Sequence, residues 1–277
     1  MGESGGVRCT IEGRVAQVVL DLPPVNIVGA DLIVGLFPLL DELEASDVSV
    51  AVFRSADPDF FLMHGDVEML VTVPPSEPVA AATEPNVAAA LFQRIHTAPY
   101  MSIGVIDGIA RGGGCELLSA LDLRIGTPRT RIGQPEVPMG ILPGAGGTTR
   151  WPWIAGRGRA LELILTGRDI EAEEALSLGW LDALVPADEL DAHVARIVGR
   201  VGAVPRDLVA SVKQIIDHSL MAGIGDEVLT VESDVNGRRM AAGLHTEAMR
   251  RFLAAGGQTR EAEVGSIEPL IAAMQKD

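Results

Sequence analysis

Apolar and polar residues alternate through VRCTIEGRVAQVVLDL, residues 7–22, and the alternation is interrupted once, around Glu12 and Gly13. That pattern predicts a β-hairpin. PPVN then breaks the strand. From residue 30 to 46 the period changes: Leu32, Ile33, Leu36, Phe37, Leu40 and Leu43 recur at helical spacing, with Pro38 inside the pattern predicting a kink. VSVAVF reads as a short buried strand, and DVEMLV as a helix start capped by Asp66. Residues 71–84, VTVPPSEPVAAATE, have no periodicity and read as a long loop.

Beyond the loop, MSIGVI predicts a strand, GIARGGG a turn, CELLSAL a helix and LRIGT a further strand. After residue 157 the spacing is mainly helical, in RALELIL, EAEEALSL, ELDAHVARIVGRV and RDLVASVKQII, with WLDALV as a strand between them. The last fifty residues keep a helical pattern interrupted at Gly256-Gly257. Strands alternating with helices, then helices alone, predict an α/β protein with a helical C-terminal portion.

Composition narrows the function. The 277 residues carry a net charge of −16, with a pI near 4.7. Long-range repulsion disfavours nucleic acid and anionic membrane as partners. No apolar run approaches the roughly 20 residues of a membrane span, and the N-terminus lacks the basic and apolar regions of a secretory signal. The expected location is cytoplasmic. The two cysteines, Cys9 and Cys115, form no disulfide framework, and Cys115 in its apolar run reads as a small core residue.

The candidate chemistry lies in GIARGGGCELL and, further on, GQPEVPMGILPGAGG. A strand, a glycine-rich turn and a helix start bring free backbone N–H groups to one point. Such a nest binds phosphate or an oxyanion, and the same glycines also suit a tight turn with close helix packing. Neither GxxxxGK[ST] nor GxGxxG fits them. Glu116 stands in the first turn of an otherwise apolar helix; Glu136 follows Pro135 in an irregular segment. Each alone reads equally well as structural or as chemical.

Taken in order, these motifs resemble the crotonase, or enoyl-CoA hydratase/isomerase, superfamily. The run from Gly108 to Arg150 carries the resemblance most densely, joined by FFLMHGDVEML at 60–70, LTGRDIEAEEALSLGWLDALVP at 165–186 and VNIV at 25–28. The resemblance implies a crotonase-like ββα-spiral core with a helical C-terminal oligomerisation region. The core would occupy residues 1–200, and residues 201–277 would serve trimerisation and active-site closure in a homotrimer or hexamer. The substrate would be an acyl-CoA thioester, with no metal and no separate cofactor, coenzyme A being part of the substrate.

The same resemblance assigns roles. The N–H groups of Gly65 and Gly113 would hold the thioester oxygen. Glu116 would hold and activate water, and Glu136 would deliver the C2 proton. Val25, Asn26, Leu62, His64, Asp66, Val67, Gly112, Pro135 and Gly144 would border the substrate. His64 stands where many relatives have glycine; it touches the nucleotide or covers the loop. Arg111 reaches a carboxylate or phosphate, or is a solvated loop residue. Residues 71–97, too rich in proline at their start for a sheet or a long helix and lying between Gly65 and the strand leading to Gly113, are expected to form the wall and lid of the acyl pocket, with Met69, Leu70, Leu91 and Phe92 flanking the loop 71–84. Trp151 and Trp153 read as core or subunit contacts. The tail departs from the family: Ala255-Gly256-Gly257 and the acidic EAEVGSIEPL stand where relatives carry a basic stretch. Alternative readings are an enoyl-CoA isomerase or other crotonase-type reaction, which the presence of Glu116 disfavours, and a non-catalytic acyl-CoA-binding homologue.

Overall fold

A computed structural model describes residues 6–70, 83–222, 246–256 and 268–274, together with 230, 234, 242 and 258. Most of the long loop, 71–82, and the acidic tail stretch 261–267 lie outside the described residues. The chain divides into two compact units, Met1–Ala210 and Ser211–Asp277.

The first unit holds two sheets. The hairpin of β1 (Val7–Glu12) and β2 (Val15–Leu20) forms where the alternation places it, turning at Gly13 with φ +57°. It opens a six-stranded sheet of order β1-β2-β3-β5-β7-β10. There β3 is Val50–Ser55, β5 Met101–Ile106, β7 Leu123–Gly126 and β10 Ala183–Leu184. From β2 onward neighbouring strands run parallel. A four-stranded sheet of order β4-β6-β8-β9 takes Phe60–Leu62, Ile109–Arg111, Arg131–Gly133 and Asp169–Glu171.

The chain steps repeatedly from the large sheet to the small one and then into a helix. β3 and β4 lead to α2 (Val67–Leu70), and α3 (Val87–His96) follows. β5 and β6 lead to α4 (Gly113–Ala120); β7 and β8 lead through a 3₁₀ turn to α5 (Gly147–Ala155). This is the ββα spiral. The turn expected over residues 108–114 is therefore corrected: Ile109–Arg111 is a strand, and the helix already begins at Gly113.

Both faces of the large sheet are covered, which explains its apolar strands. Ala51 and Phe53 belong to the main core with Leu117 and Leu118 of α4, whereas Val50 and Val52 belong to a second cluster with Leu190 and Val194 of α8 (Leu190–Gly202). Gly104 in β5 lets α4 approach: a Cβ there would lie 2.7 Å from Leu118 Cδ2 and 2.9 Å from Leu121 Cδ1.

α1 (Ala30–Ala45) buries Leu32, Leu36, Leu39, Leu40 and Leu43. Phe37 is 45% exposed, because one residue past Leu36 is a rotation of about 100°, off the buried stripe. The helix continues through Pro38, which faces outward with Val34. α6 (Arg157–Thr166), α7 (Ala172–Ser177) and α9 (Arg206–Ala222) follow the helical spacing. In the second unit, Thr246–Ala254 and Glu268–Met274 are helices that lie against each other. Among the described residues no helix is long and apolar enough to cross a membrane.

Candidate active site

Two strand-to-helix turns meet at the site. One leaves β4 through Met63, His64, Gly65 and Asp66; the other leaves β6 through Gly112. The Gly114 N–H donates to the Met63 carbonyl at 3.0 Å and staples them together. A third segment crosses both. Val28 bridges to Gly65 and donates its N–H to His64 O at 3.0 Å. A Cβ on Gly113 would lie only 2.9 Å from Val28 Cγ2. Gly65 and Gly113 thus flank Val28. Among the described residues neither glycine's N–H donates to another protein group. Gly113 is the first residue of α4, where an N–H has no partner within the helix and the helix dipole adds positive charge.

Gly112 shapes the turn. Its φ of +52° and ψ of −123° favour glycine, and a Cβ there would lie 2.7 Å from Glu136 Oε1 and 2.9 Å from His64 Cβ. His64 Cβ and Glu136 Oε1 therefore lie within about 5.6 Å of each other, the sum of those two distances.

Every residue of α4 is buried, and Glu116 points a carboxylate into that interior at 4% exposure. Its Oε1 accepts from the Ala145 N–H at 2.7 Å and the Gly147 N–H at 2.9 Å. Burial raises the Glu116 pKa; the two N–H donors and the charge of Arg150 pull it back.

Glu136 opens the 3₁₀ turn after β8 and is 7% exposed. Burial pushes its pKa up to about 7, and the charge of Glu116 acts in the same direction. The fully buried Gln134, with its amide nitrogen facing the acid, donates to Glu136 Oε2 at 3.0 Å, Glu136 Oε1 at 3.2 Å and Gly112 O at 3.2 Å. The structure thus gathers Glu116, Glu136, Gly65, Gly112 and Gly113 around one place.

The other expected residues divide. His64 is half-buried, its Nδ1 2.9 Å from Gly65 O. Asp66 caps α2, accepting from the Met69 N–H at 2.9 Å, and Val67 is exposed. Leu62 is fully buried in the core. Val25 is half-buried. The Asn26 amide is buried and committed to Leu22 N (2.6 Å) and Ser55 Oγ (2.7 Å), while its carbonyl accepts from Met63 N at 2.6 Å. It shapes the Gly65 turn from beneath. Pro135 is half-buried; Gly144 is exposed, its carbonyl accepting from Asn86 Nδ2 at 2.8 Å.

Arg111 reaches a carboxylate. It grips Asp169 with Nε at 2.8 Å and Nη2 at 2.5 Å, across Gly133, which has no side chain to block the way. Cys115 is fully buried, its thiol pKa pushed well up by burial. Trp151 is a core residue packed on Trp180 at 5.8 Å; Trp153 is 68% exposed. Leu91 and Phe92 are committed to the core, while Met69 and Leu70 are exposed.

Sequence reasoning expects Gly144, Gly146 and Gly147 to shape the turn beside Glu136 and VNIV to match a family motif, but it misses Gln134, Arg150, the packing of Val28 on Gly113 and the aim of the Ala145 and Gly147 N–H groups at Glu116. The one available signal was Gln134, an uncharged polar residue beside Glu136 in a run that had to be buried.

This arrangement has relatives. The model of the enoyl-CoA hydratase/isomerase family matches residues 10–257, and the chain belongs to that family. Among solved structures, a candidate enoyl-CoA hydratase from Streptomyces avermitilis is 32% identical, covering 98% of this chain and 99% of that one at a TM-score of 0.68. A candidate enoyl-CoA hydratase from Thermobifida fusca, solved in complex with CoA, is 28% identical, covering 86% and 94% at a TM-score of 0.73. An enoyl-CoA hydratase from Bacillus anthracis shares the fold at a TM-score of 0.80 and 24% identity, covering 90% and 96%.

Proposed function

We propose that this protein is an enoyl-CoA hydratase, adding water across the 2,3 double bond of an enoyl-CoA thioester. The observation that carries the reading is the pair of buried acids, Glu116 and Glu136, beside the N–H groups of Gly65 and Gly113, which have no partner among the described residues. The CoA complex of the Thermobifida fusca relative supports the thioester class.

In this reading the thioester oxygen sits between the two N–H groups and gains negative charge as oxygen adds to C3. Removing one such donor typically costs about 10²–10³ in rate. The acids differ in what holds them. Glu116 has two backbone N–H donors on one oxygen and a cation nearby, which favour the carboxylate. It orients water and takes its proton. Glu136, with a pKa near 7, has a protonated fraction at neutral pH and gives its proton to C2. Water's oxygen and one hydrogen end on C3 and one proton ends on C2. Passage of the proton from Glu116 to Glu136 restores the site. A single base-acid suffices to move a double bond, so the second buried acid favours hydration over isomerisation.

The subunits are proposed to associate as a trimer or hexamer, as the family resemblance implies. The test of the reaction is a panel of 2-enoyl-CoA thioesters of graded chain length, followed by loss of the enoyl-thioester absorbance. Turnover on some members supports hydration. Absence of turnover on all of them, with 3-enoyl thioesters isomerised, replaces it with the isomerase reading.

A further inference from the structure

The chemistry above leaves the half-buried Arg150, beside the segment that holds Glu116, without a role. Arg150 stands in the first turn of α5, and its guanidinium folds back over Gly146, whose φ of +117° and missing Cβ leave the room. Nη1 donates to the Ala145 carbonyl at 3.2 Å and Nη2 to Gln93 Oε1 at 2.8 Å. The same short segment, 145–147, turns its N–H groups onto Glu116. One stretch of backbone thus has its N–H groups on the carboxylate and a carbonyl on the arginine.

Around Glu116, the segment after β8 and the elements packed against α4 carry the following charged groups. Glu136 approaches from the segment after β8. β6 contributes Arg111, already neutralised by Asp169. α3 contributes Arg94, bound to Asp41 and Glu44. α5 contributes Arg150, whose hydrogen-bond partners among the described residues are neutral, so its charge is left to act on Glu116. Gln93 and Asn86 both lie on or cap α3, and both reach the 144–150 segment, at Arg150 and at Gly144 O.

We propose that Arg150 is a positioning residue for Glu116: it fixes the 145–147 turn against the carboxylate and supplies the positive charge beside it, and Gln93 of α3 holds the guanidinium there. The consequence rests on reading Glu116 as the group that takes the proton from water. α3 lies within the expected acyl-pocket wall, residues 71–97, so a change in α3 reaches Glu116 through this contact.

The experiment is a carboxyl titration by carbon NMR on protein labelled at glutamate, the Glu116 signal being assigned by its loss in Glu116→Gln. In Arg150→Met the Glu116 midpoint is expected to rise by about one pH unit. Gln93→Leu, which removes the acceptor of Arg150 Nη2 and leaves the arginine in place, is expected to raise it by less, and Arg150→Lys to return it toward native. The low-pH limb of kcat/KM is expected to move upward with the midpoint, which a merely structural role would not produce. An unmoved midpoint in both Arg150→Met and Gln93→Leu overturns the proposal. A moved midpoint in a protein that hydrates no enoyl-CoA upholds the placement of Arg150 and overturns the hydratase reading instead.

Discussion

Glu116 and Glu136 are both shut away from solvent, yet different neighbours hold them. Two backbone N–H groups point at Glu116, and Glu136 carries its charge against burial and against Glu116. Two outcomes follow at this scale. Glu116→Gln and Glu136→Gln are each expected to lower kcat by about 10²–10⁴, the usual scale for a positioned acid or base, with the fold retained by circular dichroism. The pH profile has a defined sign: the acid must be protonated, so kcat/KM falls as pH rises through about 7. Stability carries the same signature. The folded pKa of Glu136 is raised above its unfolded value, so its favourable contribution is complete below about 4.3 and is lost as pH rises through about 7. Glu136→Gln removes that loss. Urea unfolding is expected to find the variant more stable than native at pH 8, by on the order of 1–3 kcal/mol, with the gain shrinking toward pH 5.

At the scale of elements, α4 aims both the Gly113 N–H and Glu116, and Gly104 decides how closely it docks. Gly104→Val overpacks Leu118 and Leu121 and is expected to cost about 1–3 kcal/mol in urea unfolding, with kcat lowered as α4 shifts. Elements of this kind were legible in the sequence. The alternation of residues 7–22 marked the hairpin, and the 3.6-residue spacing marked α1 and the later helices. The small sheet was not legible. Its strands are three residues long, too short for alternation to register, and Arg111 and Asp169 hide as loop charges until Gly133 brings them together. Glu116 and Glu136 were found through motif order; Gly144, Gly146 and Gly147 marked a turn nearby, but its aim at Glu116 depends on the angles that backbone adopts, such as φ +117° at Gly146.

For the whole molecule, the acidic surface and the exposed apolar stripe of α9 point different ways. A net charge of −16 keeps chains apart, whereas Val212, Ile216 and Leu220 expose 49%, 52% and 62% of their surfaces at successive turns of one helix. If the proposed association uses that stripe, light scattering of the native chain at micromolar concentration gives a trimer or hexamer, and Val212→Glu with Ile216→Glu gives a smaller species. A native particle of only 29.1 kDa contradicts the association.

The central claim is that the two glutamates add water to an enoyl thioester, and an oxygen-18 experiment tests it most directly. The native protein and each Glu→Gln variant are incubated with a short 2-enoyl-CoA in labelled water, and the product is weighed by mass spectrometry. The account requires a 3-hydroxyacyl product carrying the label at C3 from the native chain, and product formation slowed about 10²–10⁴-fold in Glu116→Gln and in Glu136→Gln. Label incorporated at the native rate by either variant, or a native reaction that moves the double bond and adds no water, contradicts it.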